Sequence, residues 1–378
     1  MSAMNDSHDK LLFTPGPLTT SATVKQAMLR DLGSRDAEFI ETVARVHTRL
    51  LEVAGVSRQR GYESVVLQGC GTFGLEATVG CALPRDGKLL VVSNGTYGSR
   101  FSAIAEALGI EFSELRFGED ERVDPARVAA ALASDADVTH VSVVHCETAT
   151  GMLNPVAEVC RAAREAGRSV IVDSMSAFGG VELDFADWGA DFLVSSSNKC
   201  IEGVPGFSFV IARREALLAT AGQARSLSFD LLAQWKGLSS NGQFRFTPPT
   251  HVILAFDQAL RELVTEGGVA GRARRYAANH QCLIRGMRKL GFQEFLPVEL
   301  QGPIITSFRY PEHPRFDFDE LYRRMSELGF VIYPGKLSAA DCFRIGSIGR
   351  IDEADVEAML SALETVLGAM GVALTGPA

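Results

Sequence analysis

A single lysine, Lys199, stands in the stretch DFLVSSSNKCIEGVPGF, which covers residues 191 to 207. An apolar run comes first, three serines and an asparagine lead to the lysine, and a glycine-rich segment follows it. A lone lysine is usually a solvated surface charge. Here the small polar residues and the glycines leave room for a ligand beside the amine. Lys199 is therefore a candidate for a lysine that reacts covalently with a bound ligand.

A second segment, QGCGTFGLEA, covers Gln68 to Ala77 and joins a predicted strand to a predicted helix. Its glycines let the backbone approach a ligand, and the start of the helix with the Thr72 hydroxyl supplies donors for an anion. The segment has neither the GxxxxGK[ST] pattern of a nucleotide triphosphate loop nor the GxGxxG pattern of a dinucleotide site. A plain tight turn is the alternative, so this segment indicates an anion site only in combination with other residues.

Two charged residues are predicted to be buried. Asp173 ends the apolar run of VIVDSMSAFGG, where a carboxylate is poorly solvated and needs a donor or a positive partner. Arg344 lies between Phe343 and Ile345. Its planar guanidinium group can donate two parallel hydrogen bonds, which suits two oxygens of a carboxylate or a phosphonate. The alternatives are a helix cap or a surface ion pair for Asp173 and an internal salt bridge for Arg344.

These candidates together fit the needs of pyridoxal phosphate catalysis. They are the anion site in Gln68 to Ala77, called the anion cradle below, a buried aspartate, a lysine and an anion-binding arginine. The lysine would hold the cofactor as a Schiff base and then transfer protons, and the aspartate would keep the pyridine nitrogen protonated. The cradle would take the cofactor phosphate, and the arginine would take the acid group of the substrate.

The elements that must position these residues alternate along the first two thirds of the chain. Alanine-rich amphipathic stretches, such as Tyr97–Leu108, Pro125–Ala133 and Pro155–Ala166, separate short apolar runs. This alternation predicts an α/β fold in which a parallel sheet carries helices on both faces. Ligands bind such sheets at the carboxyl ends of the strands, where the four candidate sites lie. The predicted strands are Ser64–Gln68, Lys88–Ser93, Glu111–Arg116, Val138–Val144, Ser169–Asp173, Asp191–Ser196 and Phe207–Ala212.

After about residue 250 the pattern changes. A long helical stretch is predicted from Thr250 to His280, and a smaller α+β domain is predicted to close the chain. We expect an N-terminal segment over residues 1–15, a large domain over 16–265 and a small C-terminal domain over 266–378. The predicted elements of the last part are strands at Pro303–Tyr310, Phe330–Tyr333 and Cys342–Ser347 and helices at Asp317–Leu328 and Glu353–Leu367.

The composition excludes several classes of protein. The net charge of −9 argues against a general binder of nucleic acid or anionic membranes. No apolar run approaches the roughly 18 residues that span a bilayer, and the polar start MSAMNDSHDK lacks the apolar core of a secretory signal. Seven scattered cysteines without a CxxC pair predict neither disulfides nor a metal site, so a cytoplasmic location is expected. A basic cluster on a predicted helix is interpreted as a solvated face: Arg272, Arg274, Arg275, Arg285, Arg288 and Lys289.

Nine segments between about Leu11 and Leu367 resemble, in order and at compatible spacing, the class V (fold type I) aminotransferases. HCETATGMLNP, NKCIEGVPGF and the pair VIYPGK and DCFRIG are similar to the branch of that class that acts on 2-aminoethylphosphonate and pyruvate. TPGP and the lysine segment are shared by the whole class. The other segments are LQGCGTFGLEA, VSNGTYGSRF, VDSMSAFGG and RFTPPTH.

The resemblance implies a fold of the pyridoxal phosphate type I class: a large domain with a mostly parallel seven-stranded sheet and a smaller C-terminal α+β domain. It makes Lys199 the Schiff-base lysine and Asp173 the partner of the pyridine nitrogen, and it assigns the substrate acid to Arg344. The other cofactor contacts that it implies are Cys70, Gly71 and Thr72 around the phosphate, Tyr97 stacked on the ring, Thr148 at the ring hydroxyl or phosphate edge, and Asn198 with Thr247 at the phosphate.

Several points of the resemblance bear on assembly and substrate. Thr247 is expected to reach over from a second subunit, so the resemblance implies a homodimer with shared active sites. Cys70 stands where the family commonly has serine, and the segment SRDAEF, Ser34 to Phe39, is closer to general class V sequences. Tyr97 has an alternative role as an ordinary interface tyrosine.

The activity that the resemblance implies is transfer of the amino group of 2-aminoethylphosphonate to pyruvate, with 2-phosphonoacetaldehyde and L-alanine as products. The nearest alternative is a serine or alanine–glyoxylate aminotransferase of the same class. A cysteine desulfurase would need a nucleophilic cysteine on a mobile loop, whereas Cys342 lies inside the predicted strand of Arg344. A non-catalytic cofactor-binding regulator is the remaining alternative, although the chain has no basic patch to support it.

Overall fold

The computed structural model describes residues 9–338 and 340–373 of the 378-residue chain. The first eight residues of the expected N-terminal segment, residue 339 and the last five residues of the expected C-terminal domain lie outside the described residues. No helix within the described ranges is long and apolar enough to cross a bilayer.

The strands fall into one large sheet and three small ones. Their bounds in the described chain are β1 (Leu11–Leu12), β2 (Tyr62–Gln68), β3 (Lys88–Ser93), β4 (Glu111–Arg116), β5 (Val138–Val144), β6 (Cys146–Glu147), β7 (Met152–Leu153), β8 (Ser169–Asp173), β9 (Phe192–Ser196), β10 (Phe207–Arg213), β11 (Ile305–Arg309), β12 (Phe330–Val331), β13 (Tyr333–Pro334) and β14 (Cys342–Gly346).

The helices have the following bounds: α1 (Ala22–Gln26), α2 (Ala37–Val53), α3 (Gly71–Ala82), α4 (Thr96–Ala107), α5 (Pro125–Ser134), α6 (Val156–Glu165), α7 (Phe185–Trp188), α8 (Arg214–Ala219), α9 (Leu231–Asn241), α10 (Thr250–Thr265), α11 (Gly268–Lys289), α12 (Phe318–Glu327) and α13 (Glu353–Met370). Two short 3-10 helices cover Arg58–Arg60 and Val298–Leu300.

The large sheet has seven strands in the order β2-β10-β9-β8-β5-β3-β4. Strand β10 pairs antiparallel with both of its neighbours, and every other pairing in the sheet is parallel. The prediction of a mostly parallel seven-stranded sheet is therefore confirmed. Its central strands are buried along almost their whole length because helices cover both faces, which is why their sequences contain apolar runs.

Two apolar cores lie on the two faces of this sheet. Helices α2, α5, α6 and α10 contribute to one core, for example through Val43 and Phe256. Helices α3, α4, α8 and α9 contribute to the other, for example through Leu75 and Phe101. The connections between parallel strands thus bring the carboxyl ends of β2, β3, β5, β8 and β9 to one edge of the sheet.

The last part of the chain has a core of its own. Strands β11, β14 and β13 form a small antiparallel sheet, against which α11, α12 and α13 pack. The start of the chain joins this part, because β1 pairs in parallel with β12. The division into an N-terminal segment, a large domain and a small domain at residues 15 and 265 stays a prediction.

The long helix predicted from Thr250 to His280 is interrupted. The structure has two helices instead, because Gly267 between them and Gly268, the first residue of α11, both adopt positive φ, 98° and 70°. An α-helix cannot continue through residues in this left-handed region.

The prediction that the basic cluster on α11 is a solvated face was wrong for two of its members. Arg272 is fully buried with its Nε 2.8 Å from Glu266, and Arg275 places Nη2 2.7 Å from Glu202. The two arginines and two glutamates balance in charge, which offsets the cost of burying Arg272 and Glu202, while Arg275 and Glu266 are half-buried. The other four members, Arg274, Arg285, Arg288 and Lys289, are exposed.

Candidate active site

The candidate anion cradle lies where β2 gives way to α3. Cys70 is the N-cap residue of α3, but its side chain makes no capping hydrogen bond. The N–H groups of Gly71 and Thr72 have no acceptor among the described residues, as is usual for the first turn of a helix. Arg100 from α4 donates from Nη1 to Thr72 Oγ1 at 3.4 Å. The start of α3 thus brings together free backbone N–H donors, a hydroxyl and a guanidinium. This arrangement suits a phosphate.

Asp173 is the last residue of β8 and is 2% exposed. One oxygen, Oδ1, accepts from the Met175 N–H at 2.9 Å, while Oδ2 has no donor in the described part of the chain. Burial raises the pKa of Asp173 to about 6, although the Met175 N–H and the charges of Arg100 and Lys199 lower it. A carboxylate in this position would be stabilised by a further cationic group on its free oxygen.

Lys199 lies just beyond the end of β9 and is held from the opposite side by the start of the chain. Its Nζ donates to the Pro15 carbonyl at 2.8 Å. Gly16 has a φ of +118°, and a Cβ there would come within 2.7 Å of Lys199 Cδ. Burial lowers the pKa of Lys199, which favours the neutral, nucleophilic amine. The segment TPGP is therefore the other wall of the lysine site.

Tyr97 is positioned by a buried carboxylate that sequence reasoning did not single out. Glu147 is fully buried and accepts from the N–H groups of Tyr97, Gly98 and Ala149 at 3.1–3.3 Å. It therefore neutralises the positive end of the α4 dipole at the point where Tyr97 enters the site. Burial raises the pKa of Glu147 to about 7.

Thr148 follows Glu147 and faces the same pocket. Its Oγ1 lies 2.7 Å from Ser176 Oγ. The carbonyl of Thr148 accepts from Nη1 of Arg344 at 3.0 Å. Through this bond β14 of the small antiparallel sheet contacts the segment that follows β6.

Arg344 is 1% exposed in β14. Besides the Thr148 carbonyl, it donates from Nε to the Pro334 carbonyl at 3.0 Å. No carboxylate forms an ion pair with it among the described residues, so the alternative of an internal salt bridge is wrong. Two backbone carbonyls orient the guanidinium without neutralising its charge, and the charge stays available to an anionic ligand.

Eight of the ten predicted site residues line one pocket at the carboxyl edge of the sheet. They are Cys70, Gly71, Thr72, Tyr97, Thr148, Asp173, Asn198 and Lys199. Arg344 borders this pocket through Thr148 and the hydroxyl of Tyr97. Thr247 does not line this pocket; its carbonyl instead accepts from the side chain of Gln68 at 3.1 Å.

Sequence reasoning missed other residues that line the pocket. Arg100 is the most informative, and the available signal was its position one helical turn after Tyr97, which places the two side chains on the same face of α4. The remaining lining residues are Val144, Cys146, Met175, Ser176 and Ser196. They lie at or just after the ends of β5, β8 and β9 and carry no charge, so nothing in the pattern distinguished them from ordinary turn or core residues.

Cys342 does not have the properties of a catalytic thiol. It is buried at the start of β14, and burial raises its pKa to about 11. All seven cysteines are unpaired, and Cys70 is the exposed one.

Two curated relatives match nearly the whole chain. The 2-aminoethylphosphonate–pyruvate transaminase of Syntrophobacter fumaroxidans is 53% identical over 362 residues, which are 96% of this chain and 97% of that protein. The protein of the same name from Vibrio parahaemolyticus is 50% identical, over 95% of this chain and 98% of its own.

Solved structures share the fold. Pyridoxamine–pyruvate aminotransferase from Mesorhizobium loti has a TM-score of 0.88 at 25% identity and covers 98% of this chain and 95% of its own. An alanine–glyoxylate aminotransferase from a Nostoc species has the same TM-score at 24% identity, with 97% of each chain covered. The family model for class V aminotransferases matches residues 18–326. The chain belongs to the class V aminotransferase family.

Proposed function

We propose that this protein transfers the amino group of 2-aminoethylphosphonate to pyruvate with pyridoxal phosphate as cofactor, giving 2-phosphonoacetaldehyde and L-alanine. The observation that carries the proposal is Arg344, a buried guanidinium with no carboxylate partner in the described structure, beside the pocket of Lys199 and Asp173. Both substrates bear an anionic group that needs such a partner. Relatives at 50% identity or more over almost the full chain carry the name of this activity.

The pocket fits pyridoxal phosphate at each of its polar groups. The free N–H groups of Gly71 and Thr72, with Arg100, suit the phosphate. The free oxygen of Asp173 suits a protonated pyridine nitrogen, because a cation there would offset the burial that raises its pKa. All three of the other predicted contacts line the same pocket, and we assign Thr148 to the ring hydroxyl, Tyr97 to the ring face and Asn198 to the phosphate.

When bound, the cofactor supplies an aldehyde for the amino group and a ring that stabilises negative charge on the neighbouring carbon. Lys199 is the one lysine that lines the pocket in the described chain, so we assign to its Nζ both the attachment of the cofactor and the movement of the proton at the reacting carbon. Arg344 orients the substrate acid group while the proton moves.

The same arginine has to serve both half-reactions. In alanine and pyruvate the acid group sits on the reacting carbon, whereas in 2-aminoethylphosphonate it sits one carbon further away. We expect Arg344→Lys to lower kcat/KM for both substrates by about 10- to 100-fold, because lysine lacks the planar fork for two oxygens. Stopped-flow measurement of each half-reaction checks this. An effect on one substrate alone would mean that the other acid group binds elsewhere.

We propose that the enzyme works as a homodimer whose subunits share each active site. Thr247 lies outside the pocket of its own chain and next to side chains that leave apolar surface exposed: Leu227 is 75%, Phe246 46% and Phe73 45% exposed. Phe73 belongs to the first turn of α3, at the rim of the cradle. A second subunit on this surface would cover the apolar side chains and bring its own Thr247 towards the phosphate.

Mixing two inactive variants tests the shared site. A dimer of one Lys199→Ala chain and one Thr247→Asp chain would contain one intact site, since the aspartate repels phosphate only at the other one. Random exchange should restore about a quarter of the wild-type sites. The measurement is amino-transfer activity after exchange that mass spectrometry has verified. If verified heterodimers were as inactive as either parent, each site would belong to a single chain.

The proposed activity is tested by a single-turnover comparison of amino donors. Reaction of the cofactor-loaded enzyme with 2-aminoethylphosphonate, L-serine or L-alanine converts the bound cofactor to its amine form, which changes its absorbance. We expect 2-aminoethylphosphonate to react with the highest second-order rate constant. A serine rate constant tenfold higher or more, about 1.4 kcal/mol of transition-state preference, would favour the serine or alanine–glyoxylate activity instead. The cytoplasmic location stays a prediction.

A further inference from the structure

Three cationic side chains surround Tyr97, which lines the pocket. The Arg100 guanidinium lies 4.6 Å from the centroid of the Tyr97 ring, and the Lys336 Nζ lies 5.3 Å from it. Arg344 lies beside the Tyr97 hydroxyl. Burial alone would raise the pKa of Tyr97, but the charges of Arg344, Lys336 and Lys199 outweigh it and lower that pKa. The rim of the pocket is therefore strongly positive.

The site must bind two anions, the cofactor phosphate and the acid group of the substrate, and the three cations differ in which of them they can contact. Arg100 donates to Thr72 and so belongs to the cradle that we assign to the cofactor phosphate. Arg344 is fixed by the Thr148 and Pro334 carbonyls and faces the substrate acid. Lys336 has neither constraint on its ammonium group, whose contact in the described chain is the face of Tyr97.

The loop that carries Lys336 is held in place beside the start of α4. Thr96 Oγ1, at the first residue of α4, donates to the Lys336 carbonyl at 3.2 Å. Two residues further on, the Ser338 N–H donates to the Glu119 carboxylate at 3.0 Å. The backbone of Lys336 is thus anchored next to Tyr97, while its side chain is exposed and has freedom to follow a ligand.

The proposed substrates differ in the charge and shape of their acid groups. Pyruvate and alanine have a planar carboxylate with two oxygens and one negative charge, which the fork of one arginine can match. A phosphonate is tetrahedral, has three oxygens and can carry two negative charges. An arginine fork contacts two of those oxygens, so the third oxygen and the second charge call for another cation. A lysine ammonium suits that role, because it is a mobile point charge.

We propose that Lys336 is the residue that distinguishes the phosphonate donor from carboxylate substrates, by binding the third phosphonate oxygen while Arg344 holds the other two. This inference rests on the proposed function of the same pocket. It assigns Lys336 to the half-reaction with 2-aminoethylphosphonate only. Arg344, in contrast, acts in both half-reactions.

The test replaces Lys336 by methionine, which keeps the length of the side chain and removes its charge. We expect kcat/KM for 2-aminoethylphosphonate to fall by about tenfold, through KM, and the values for L-alanine and pyruvate to change by less than about twofold. Lys336→Arg should retain most of the activity with 2-aminoethylphosphonate. Lys289→Met, at an exposed lysine near the end of α11, is the matched control and should behave as wild type.

Binding without turnover provides a second readout. Calorimetric titration of the cofactor-loaded enzyme with ethylphosphonate and with propanoate compares the two acid groups on chains that have no amine. The Lys336→Met variant should bind ethylphosphonate about tenfold more weakly and propanoate as wild type does. Its affinity for pyridoxal phosphate, from spectroscopic titration, should be unchanged.

Distinct results would overturn this inference and the proposed function. If the Lys336→Met variant lost equal affinity for the phosphonate and carboxylate ligands, or lost none for either, Lys336 would not distinguish them. Turnover of 2-aminoethylphosphonate by the wild-type enzyme would still leave the proposed function intact. A wild-type enzyme that did not accept 2-aminoethylphosphonate at all would overturn both.

Discussion

Replacing Lys199 by alanine is expected to lower the rate of amino transfer by about 10⁴-fold or more, the size of effect that follows removal of a catalytic nucleophile. Its Nζ is the one lysine amine that lines the pocket within the described chain, and burial lowers its pKa, which favours the neutral amine. Without it neither the attachment of the cofactor nor the proton transfer has a group to perform it. Steady-state turnover with 2-aminoethylphosphonate and pyruvate measures the loss.

The same variant makes a second, independent prediction about the cofactor. Treatment with borohydride should fix pyridoxal phosphate covalently to the wild-type chain at Lys199 and should leave the variant unlabelled, as peptide mass spectrometry would detect. Lys236→Ala, at an exposed lysine in α9, is the control and should keep both the label and the activity. Wild-type turnover by the Lys199→Ala variant would contradict the assignment of the attachment lysine.

Replacing Asp173 by asparagine is expected to lower turnover by about 10²- to 10³-fold, because an amide cannot stabilise a protonated pyridine nitrogen as a carboxylate can. The asparagine oxygen can still accept from the Met175 N–H, so the local fold should persist. Affinity for pyridoxal phosphate should fall as well. Near-normal turnover would reduce Asp173 to a structural role at the end of β8.

The same substitution should stabilise the cofactor-free protein. The pKa of Asp173 in the folded chain, about 6, lies above its ordinary value of 3.8, so the ionised carboxylate opposes folding at pH values above 6. The difference corresponds to roughly 3 kcal/mol. We expect the variant to unfold at a higher temperature than the wild type at pH 8. This advantage should shrink as the pH falls through 6 and should be lost near 3.8.

Much of the large sheet could be predicted because most of its strands contain short apolar runs between polar turns. Lys88–Ser93, Glu111–Arg116, Val138–Val144 and Ser169–Asp173 have the bounds that the sequence indicated. The position of antiparallel β10 between β2 and β9 could not be predicted, because a local sequence pattern predicts a strand but not which distant strand it pairs with.

The residues of the site likewise include some that the sequence located and some that it did not. Lys199, Asp173 and the cradle follow strands directly, so the rule for the carboxyl edge of a sheet located them without knowledge of the tertiary structure. Arg100 and Lys336 could not be found by that rule, because one lies inside an amphipathic helix and the other on a loop of the C-terminal part. Glu147 was missed because its role depends on backbone N–H groups that only the folded chain brings to it.

The central claim, that a phosphonate amine is the donor, is tested most directly by competition. The enzyme is given 2-aminoethylphosphonate and L-serine at equal concentrations with a limiting amount of pyruvate, and phosphorus and proton NMR follow the products. The predicted result is that at least about nine tenths of the L-alanine formed is matched by phosphonoacetaldehyde and at most about one tenth by hydroxypyruvate from serine, as a tenfold preference requires. Formation of alanine at the expense of serine, with the phosphonate left unconsumed, would contradict the claim.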